Sequence, residues 1–202
     1  NDGVVTCAGN IFKTTVAGSA TLNLTGGRID MQPAGDATPG TIAVDTLNVG
    51  TVSAGTISNA ATISCPNITI GASGAIAGST TIDIGAAGTL TTSGYGLANG
   101  QTLRGAGTVS GSFTNGTGAT ISVGTNGTTT ALNFGSDLTL NADGNLALDL
   151  NTPGVNDTIA VSGNLTFAGT NNVSLSAVGG SFVNGTYTVM TYTGTLTGGP
   201  EN

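Results

Sequence analysis

The sequence has no His, no Trp and very little positive charge. Its only cations are Lys13, Arg28 and Arg104, and ten Asp and Glu bring the formal net charge to −7. Proteins that bind nucleic acids or anionic membrane surfaces need clustered Lys and Arg, so neither is expected as a partner. No stretch of the sequence approaches 18 consecutive apolar residues, so membrane insertion is not expected either.

The missing His also limits the chemistry that the chain can perform. A Ser-His-Asp triad cannot be built without it, and the acidic residues are dispersed rather than clustered. Asp45, Asp83 and Asp149 each interrupt an apolar alternation, which predicts that they lie on the outer, solvated face of strands. We expect them to be solubilising surface charges that discourage edge pairing, with an acidic ladder of stacked coils as the alternative. We therefore expect no enzymatic activity and no cofactor.

Aromatic residues make up 4% of the chain and charged residues 6%, whereas 35 of the 202 residues are Gly. Globular domains usually have about a quarter of their residues charged. Low charge combined with many β-branched residues favours an ordered chain over a disordered one. The composition predicts a thin aliphatic core and a surface of hydroxyl and amide groups.

Two cysteines are present, Cys7 and Cys65. A disulfide between them would close a loop of about 60 residues and contribute roughly 4 kcal/mol in the chain-entropy model. The alternative is a pair of buried free thiols, which behave as small hydrophobic side chains. We predict the disulfide, because it would fasten the irregular N-terminal segment. The cysteines, the scarcity of Lys and the absence of His also favour an extracellular location over a cytosolic one.

Short runs with apolar residues at every second position recur along the chain, separated by Gly, Asn, Ala or Ser. A period of two indicates β-strands, and many evenly spaced short strands indicate a repetitive all-β scaffold. Comparable strands return about every 20 residues, from Ile42 to Ile63, Ile63 to Ile82, Ile121 to Leu140 and Leu140 to Ile159. This spacing predicts a parallel β-helix (a β-solenoid), with an antiparallel β-sandwich as the alternative, since the Asn-Gly pairs also suit hairpins.

The regularity of the apolar alternation predicts two parts of the chain. Residues 1–40 are the least regular and are expected to form an N-terminal segment that acts as a cap or as a joint between subunits. Residues 41–202 are expected to form the β-solenoid body.

The segment Leu97–Asn115 reads LANGQTLRGAGTVSGSFTN. It resembles the phrase ANGQTLxGxGTVxGxxTN of the autotransporter-associated β-strand repeats, and the order of the following strands over about residues 80–197 is similar as well. The resemblance implies a right-handed parallel β-helix and a large secreted or surface-exposed bacterial protein. It implies architecture and location, at the bacterial cell surface or outside the cell, and no chemistry.

A solenoid exposes apolar core and unpaired strands at both ends unless polar caps cover them. We therefore predict self-association through the ends, as a filament or coat subunit of the cell surface. The alternative is an adhesin stalk or a glycan-binding passenger segment, for which surface glycans would be partners and only Tyr95 and Phe113 are candidate stacking residues. The predicted assembly residues are the apolar and aromatic positions near the two ends: Phe12, Val16, Phe182, Tyr187, Val189, Met190 and Tyr192.

Overall fold

The structure is a computed structural model that describes residues 4–6, 10–13, 18–25, 27–31, 38, 40–51, 55–58, 60 and 62–199. These residues form β-strands joined by turns, and no helix occurs among them. Accordingly, the described ranges contain no helix with the length and hydropathy needed to cross a membrane. The all-β class predicted from the sequence is confirmed.

The strands are short. The first nine are β1 (Val4–Thr6), β2 (Ile11–Phe12), β3 (Thr21–Leu24), β4 (Gly27–Asp30), β5 (Thr41–Ala43), β6 (Thr46–Val49), β7 (Gly55–Ser58), β8 (Thr62–Ser64) and β9 (Asn67–Ile70). The next nine are β10 (Gly74–Ala77), β11 (Thr81–Asp83), β12 (Thr89–Thr92), β13 (Tyr95–Leu97), β14 (Thr102–Gly105), β15 (Thr108–Ser110), β16 (Phe113–Asn115), β17 (Thr120–Val123) and β18 (Ala131–Phe134). The last eight are β19 (Leu138–Leu140), β20 (Asn145–Thr152), β21 (Val155–Asn156), β22 (Thr158–Val161), β23 (Leu165–Phe167), β24 (Asn172–Ala177), β25 (Met190–Tyr192) and β26 (Leu196–Thr197).

Successive strands visit three faces in turn, and each circuit forms one coil. Face 1 consists of two sheets, β1-β4-β7-β10 in the earlier coils and β13-β16-β19-β23-β26 in the later coils. In both sheets the face 1 strand of each coil comes directly before the face 2 strand. Face 2 is β2-β5-β8-β11-β14-β17-β20-β24, and face 3 is β3-β6-β9-β12-β15-β18-β22-β25. Strands within each face pair in parallel, and among the described strands only β20 and β21 pair antiparallel. The parallel β-helix is confirmed, and the β-sandwich alternative is wrong.

The coils stack in register, so equivalent side chains form columns along the axis. On face 2 one inward column runs Ile11, Ile42, Ile63, Ile82, Leu103, Ile121, Leu146 and Val173. On face 3 another runs Leu22, Leu47, Ile68, Leu90, Val109, Phe134, Val161 and Tyr192. Because every second residue points inward, these columns bury the aliphatic side chains in a single narrow core.

The predicted returns from Ile42 to Ile63 and from Ile63 to Ile82 are confirmed as register pairs. The two later returns are wrong, because Ile121 pairs with Leu146 and Leu140 pairs with Asn115 and Phe167. The turn segment 124–130 lies between β17 and β18 and lengthens that coil to 25 residues at this column. Parallel stacking tolerates such an insertion, since it leaves the face as a loop.

Strands also occur within the first 40 residues. β1 pairs with β4, β2 with β5 and β3 with β6, each in register with the coil that follows. The described part of residues 1–40 therefore contributes strands to all three faces, and the coiled body begins before residue 41. The register columns explain why: Ile11 and Leu22 occupy the same inward positions as their counterparts in later coils.

Candidate functional site: the end face of the solenoid

The last described coil presents an apolar surface along the axis. We call this surface the end face and define it by the inward side chains of β24, β25 and β26, which are Val173, Leu175, Met190, Tyr192 and Leu196. Each continues a core column of the coil below. The end face is thus a cross-section through the hydrophobic core.

Exposure changes sharply at this coil. In β20, Leu146 is 2% exposed and Leu148 is 3% exposed, whereas their register partners in β24, Val173 and Leu175, are 52% and 45% exposed. Tyr192 and Leu196 are also exposed, although their partners Val161 and Leu165 are buried. Large exposed apolar surfaces of this kind are typical of interaction sites.

After β24 ends at Ala177, a crossing segment leads to the next strand, β25, which begins at Met190. Phe182 and Val183 in this crossing segment are exposed. The hydroxyl of Tyr187 lies 2.8 Å from the carbonyl oxygen of Val183 and 3.1 Å from that of Asn151, so it holds the segment against the coil below. The crossing therefore runs beside the end face and leaves Val173 and Leu175 uncovered.

A cleft of about 680 Å³ lies at the corner between faces 1 and 2, lined by Phe167, Gly169, Asn171, Val173 and Gly199 among others. Corners at this position stack by backbone hydrogen bonds: the N–H of Gly118 donates to the carbonyl of Asp143, and the N–H of Asp143 donates to the carbonyl of Thr170. The cleft is the place that the corner of a further coil would fill.

The strands that form the end face carry no charged side chain. The sequence contains no Asp, Glu, Lys or Arg from Thr158 through Pro200. Among the described residues at the opposite end, Lys13 Nζ lies 2.9 Å from Asp45 Oδ2, and Arg28 Nη2 lies 3.3 Å from Asp30 Oδ2. Charged side chains commonly protect strand edges from pairing with other chains, and the end face lacks that protection.

The predicted assembly residues fall into three groups. Phe182 and Tyr192 are exposed at or beside the end face, and Phe12 is exposed at the opposite end. Tyr187, Val189 and Met190 are half-buried, and the last two pack against the core. Val16 lies outside the described residues.

Sequence reasoning missed the apolar side chains that form most of the end face, Val173, Leu175 and Leu196. Alternation shows which side of a strand is apolar, but not that β24 is the outermost strand of its face.

Cys65 is buried and forms no disulfide with any described residue, and its Sγ lies 3.8 Å from the carbonyl oxygen of Ile42. Burial raises the pKa of this thiol, which keeps it protonated at neutral pH. Cys7 lies outside the described residues. The Cys7–Cys65 disulfide stays a prediction.

The three carboxylates predicted on the solvated face have different surroundings. Asp45 accepts a hydrogen bond from the Ala20 N–H, which with Lys13 lowers its pKa, and Asp83 is held by Arg104 through Nη2 at 2.6 Å. No acidic column forms on face 2, because Asp83 pairs in register with Arg104 on one side and Ser64 on the other. The alternative of an acidic ladder is therefore wrong.

The expectation of a solvated Asp149 is also wrong. The residue is only 5% exposed, because the segment 124–130 covers it and the Gly127 N–H donates to its Oδ2 at 2.6 Å. Asp157 is buried beside it and accepts from the N–H groups of Asp149 and Thr130 at 2.7 and 2.8 Å. Burial raises the pKa of Asp157, against the lowering effect of those two N–H groups.

The two aromatics considered for glycan stacking belong to the packed interior. Phe113 is buried, with its ring centroid 5.6 Å from that of Phe134. Tyr95 is partly buried, and its hydroxyl lies 3.1 Å from Gln101 Oε1. Burial raises the pKa of Tyr95 to about 12.

Within the ranges that the structure covers, no three His, Cys, Asp or Glu side chains come together as an ion site. The end face is therefore the feature with the clearest capacity to act on another molecule. Comparisons of the chain with protein-family models, with curated proteins and with solved structures find no match.

Proposed function

We propose that the protein is a structural building block of the bacterial cell surface or extracellular matrix, and that solenoids of this chain join through the end face into filaments or coats. The observation that carries the proposal is the exposure of core columns at Val173, Leu175, Tyr192 and Leu196. The resemblance of Leu97–Asn115 to surface-protein repeats supports the location.

The physical basis is the incomplete burial of the outermost coil. Val173, Leu175, Tyr192 and Leu196 are between 40% and 52% exposed and Met190 is partly buried, so covering these five side chains contributes on the order of 5 kcal/mol in total. Association costs an estimated 4–15 kcal/mol in lost freedom, so apolar burial alone gives weak binding. The backbone edges of β24, β25 and β26 add hydrogen bonds when further strands pair with them. We therefore expect assembly that depends strongly on protein concentration.

The test places charges on the end face and compares them with charges on the outside of the same strand. In the variant V173D/L175D two inward positions of β24 become acidic. In the matched control S174D/S176D the two outward positions become acidic, and both of these serines are exposed. Sedimentation velocity and negative-stain microscopy follow assembly from micromolar to millimolar protein, and circular dichroism follows the fold.

We expect the unmodified chain and S174D/S176D to form rods that lengthen with concentration, and V173D/L175D to stay monomeric with an unchanged β-sheet spectrum. Two carboxylates in an apolar joint would be desolvated without partners, whereas those of the control remain in water. Monomers of the unmodified chain at millimolar concentration, or equal assembly of both variants, would overturn the proposal.

A further inference from the structure

We infer that a second cleft, at the corner between faces 2 and 3, binds one ring of a neutral saccharide. We call it the side cleft. It has a volume of about 290 Å³ and is lined by Asp83 and Ala86 on one side, by Gly105 and Ala106 on its floor, and by the segment 124–130 on the other side. The inference goes beyond the proposed function and does not depend on assembly, because the side cleft shares no residue with the end face.

The first support is the unequal length of three successive corners. Between faces 2 and 3 the chain takes five residues from β11 to β12 (84–88), two from β14 to β15 (106–107) and seven from β17 to β18 (124–130). The short corner therefore lies between two longer ones, which form the walls of the side cleft. Rungs of a sheet are ~4.8 Å apart, so the two walls are ~9.6 Å apart. Since carbon atoms pack at about 3.5–4.0 Å, this gap holds one ring between the walls.

The second support is that the floor of the side cleft is almost bare backbone. A Cβ at Gly105 would lie 2.9 Å from Cγ1 of Ile84, and a Cβ at Gly107 would overlap the carbonyl oxygen of Gly88. Side chains are therefore excluded at both positions, and the floor carries only the methyl group of Ala106. Positions without side chains let a ligand approach the backbone closely. Such a floor suits the C–H face of a sugar ring.

The third support is a pair of hydrogen-bonding groups at one end of the side cleft. Asp83 Oδ2 accepts from Arg104 Nε at 3.1 Å and from Nη2 at 2.6 Å, and Asp83 Oδ1 accepts from the Gly85 N–H at 3.0 Å. A carboxylate has about four acceptor sites and a guanidinium has five N–H donors, so both groups keep capacity. The Arg104 side chain is 41% exposed, which leaves further donors open to a ligand. Neighbouring sugar hydroxyls both donate and accept, so they can bond to both members of the pair.

The fourth support is the cost of the wall 124–130. Asp149 accepts from the Gly127 N–H, and Asp157 accepts from the Thr130 N–H, so two carboxylates hold the wall. Both carboxylates are buried, and the three Lys and Arg side chains of the sequence pair with other acids. Buried carboxylates without a cation are costly, and the two-residue corner beside this wall shows that a coil closes without such an insertion. Local features that cost stability are typical of functional sites.

Charge and backbone bonding narrow the class of ligand. Asp83 and Arg104 neutralise each other, and the carboxylates behind the wall make the surroundings negative, which disfavours an acidic saccharide. The wall itself presents the hydroxyl groups of threonines. A peptide would need free backbone groups to pair with, but the Ala106 N–H already donates to the carbonyl oxygen of Gly85 at 2.9 Å. A neutral saccharide satisfies both conditions.

Saturation-transfer difference NMR tests this inference. The probes are neutral hexasaccharides of β-linked glucose, α-linked glucose, mannose and xylose, and hexagalacturonate serves as the acidic probe. The variant A86L places a larger side chain in the side cleft, and the matched control A75L places the same side chain on face 1, where Ala75 is exposed like Ala86. D83N removes the carboxylate, and T102V is its control on the outward side of face 2. Circular dichroism follows the fold.

We expect at least one neutral hexasaccharide to bind the unmodified chain, A75L and T102V equally, and A86L and D83N to bind it at least fivefold more weakly with an unchanged β-sheet spectrum. If D83N does not fold, A86L decides alone. Binding that A86L leaves unchanged would overturn the site, and tighter binding of hexagalacturonate would overturn the neutral class. If no neutral probe binds at millimolar concentration, the whole inference is wrong, whereas the proposed assembly through the end face is unaffected.

Discussion

The side chain of Gln101 donates a hydrogen bond across the break in face 1, from its Nε2 to the carbonyl oxygen of Ile76, at 2.7 Å. Ile76 belongs to β10, the outermost strand of the first sheet of this face, and the second sheet begins at β13. Gln101 Oε1 accepts in turn from the Ala98 N–H at 2.9 Å, and the side chain is 1% exposed. One buried amide thus supplies the hydrogen bonds that link the two halves of the face.

Replacing Gln101 should weaken the solenoid more than an ordinary substitution. In Q101L the Ala98 N–H and the Ile76 carbonyl lose their partner in a buried setting. Each unsatisfied buried group costs about 1–3 kcal/mol, so we expect a loss of about 3 kcal/mol in the free energy of unfolding. Urea unfolding measured by circular dichroism checks this value.

The variant Q101E separates the two roles of the amide. A carboxylate can still accept from Ala98, but it cannot donate to Ile76. We expect Q101E at neutral pH to be at least as destabilised as Q101L, because it also buries a charge. If both variants unfold within about 0.5 kcal/mol of the unmodified chain, then Gln101 does not hold the two sheets together.

Tyr95 should ionise at unusually high pH. Burial raises its pKa to about 12 from 10.0, so the folded state favours the neutral phenol. The stability that this preference contributes is complete below pH 10 and is lost as the pH rises through about 12. The chain has three Tyr and no Trp, so the near-ultraviolet titration of phenolate is simple to read.

The titration of the unmodified chain minus that of Y95F isolates this phenol. We expect a midpoint near 12. A midpoint near 10 in a chain that is still folded would mean that the ring is solvated, and that the aromatic contact of Tyr95 with Phe113, at 6.2 Å between ring centroids, does not exclude water.

Asp157 and Asp45 should respond to acid in opposite directions. Burial raises the pKa of Asp157, so its contribution to stability is complete below pH 3.8 and declines as the pH rises through its folded pKa. The Ala20 N–H and then Lys13 lower the pKa of Asp45, so its contribution is present above pH 3.8 and is lost as the pH falls through its folded pKa.

The variants D157N and D45N show how each carboxylate changes the free energy of unfolding as the pH changes. As the pH falls from 7 towards 3, the unmodified chain should gain stability relative to D157N and lose stability relative to D45N. D157N should also be less stable at every pH, by about 1–3 kcal/mol, because an amide cannot accept from both the Asp149 and Thr130 N–H groups. Slopes of the same sign for both variants would refute the assignment.

The regular part of the fold follows from the sequence. The apolar residues at Ile42, Ile63 and Ile82 recur at nearly constant spacing, and stacking in register is the arrangement that buries them all. The pattern fails at Ile121 and Leu140, because a loop can lengthen one coil without changing the period-two signal of the strands. The length of a coil depends on corners, and many combinations of Gly, Asn and Thr can form a corner.

The site is harder to predict than the fold. Alternation places Asp149 on the outward side of β20, but it cannot show that the segment 124–130 folds over the residue. Likewise, Val173 has the same local pattern as Ile121, and only the three-dimensional position of β24 makes it exposed. The aromatics Phe182 and Tyr192 are recognisable because aromatic side chains are rare in this chain.

The axial repeat of the assembled protein tests the central claim most directly. Face 3 has eight strands among the described residues, and rungs ~4.8 Å apart give each copy a length of about 38 Å along the axis. Electron cryomicroscopy of rods formed at high concentration should show a subunit repeat of about 38 Å, with the rung spacing continuous through the joints. Particles that remain one subunit long, or that associate side by side with their end faces uncovered, would contradict the claim.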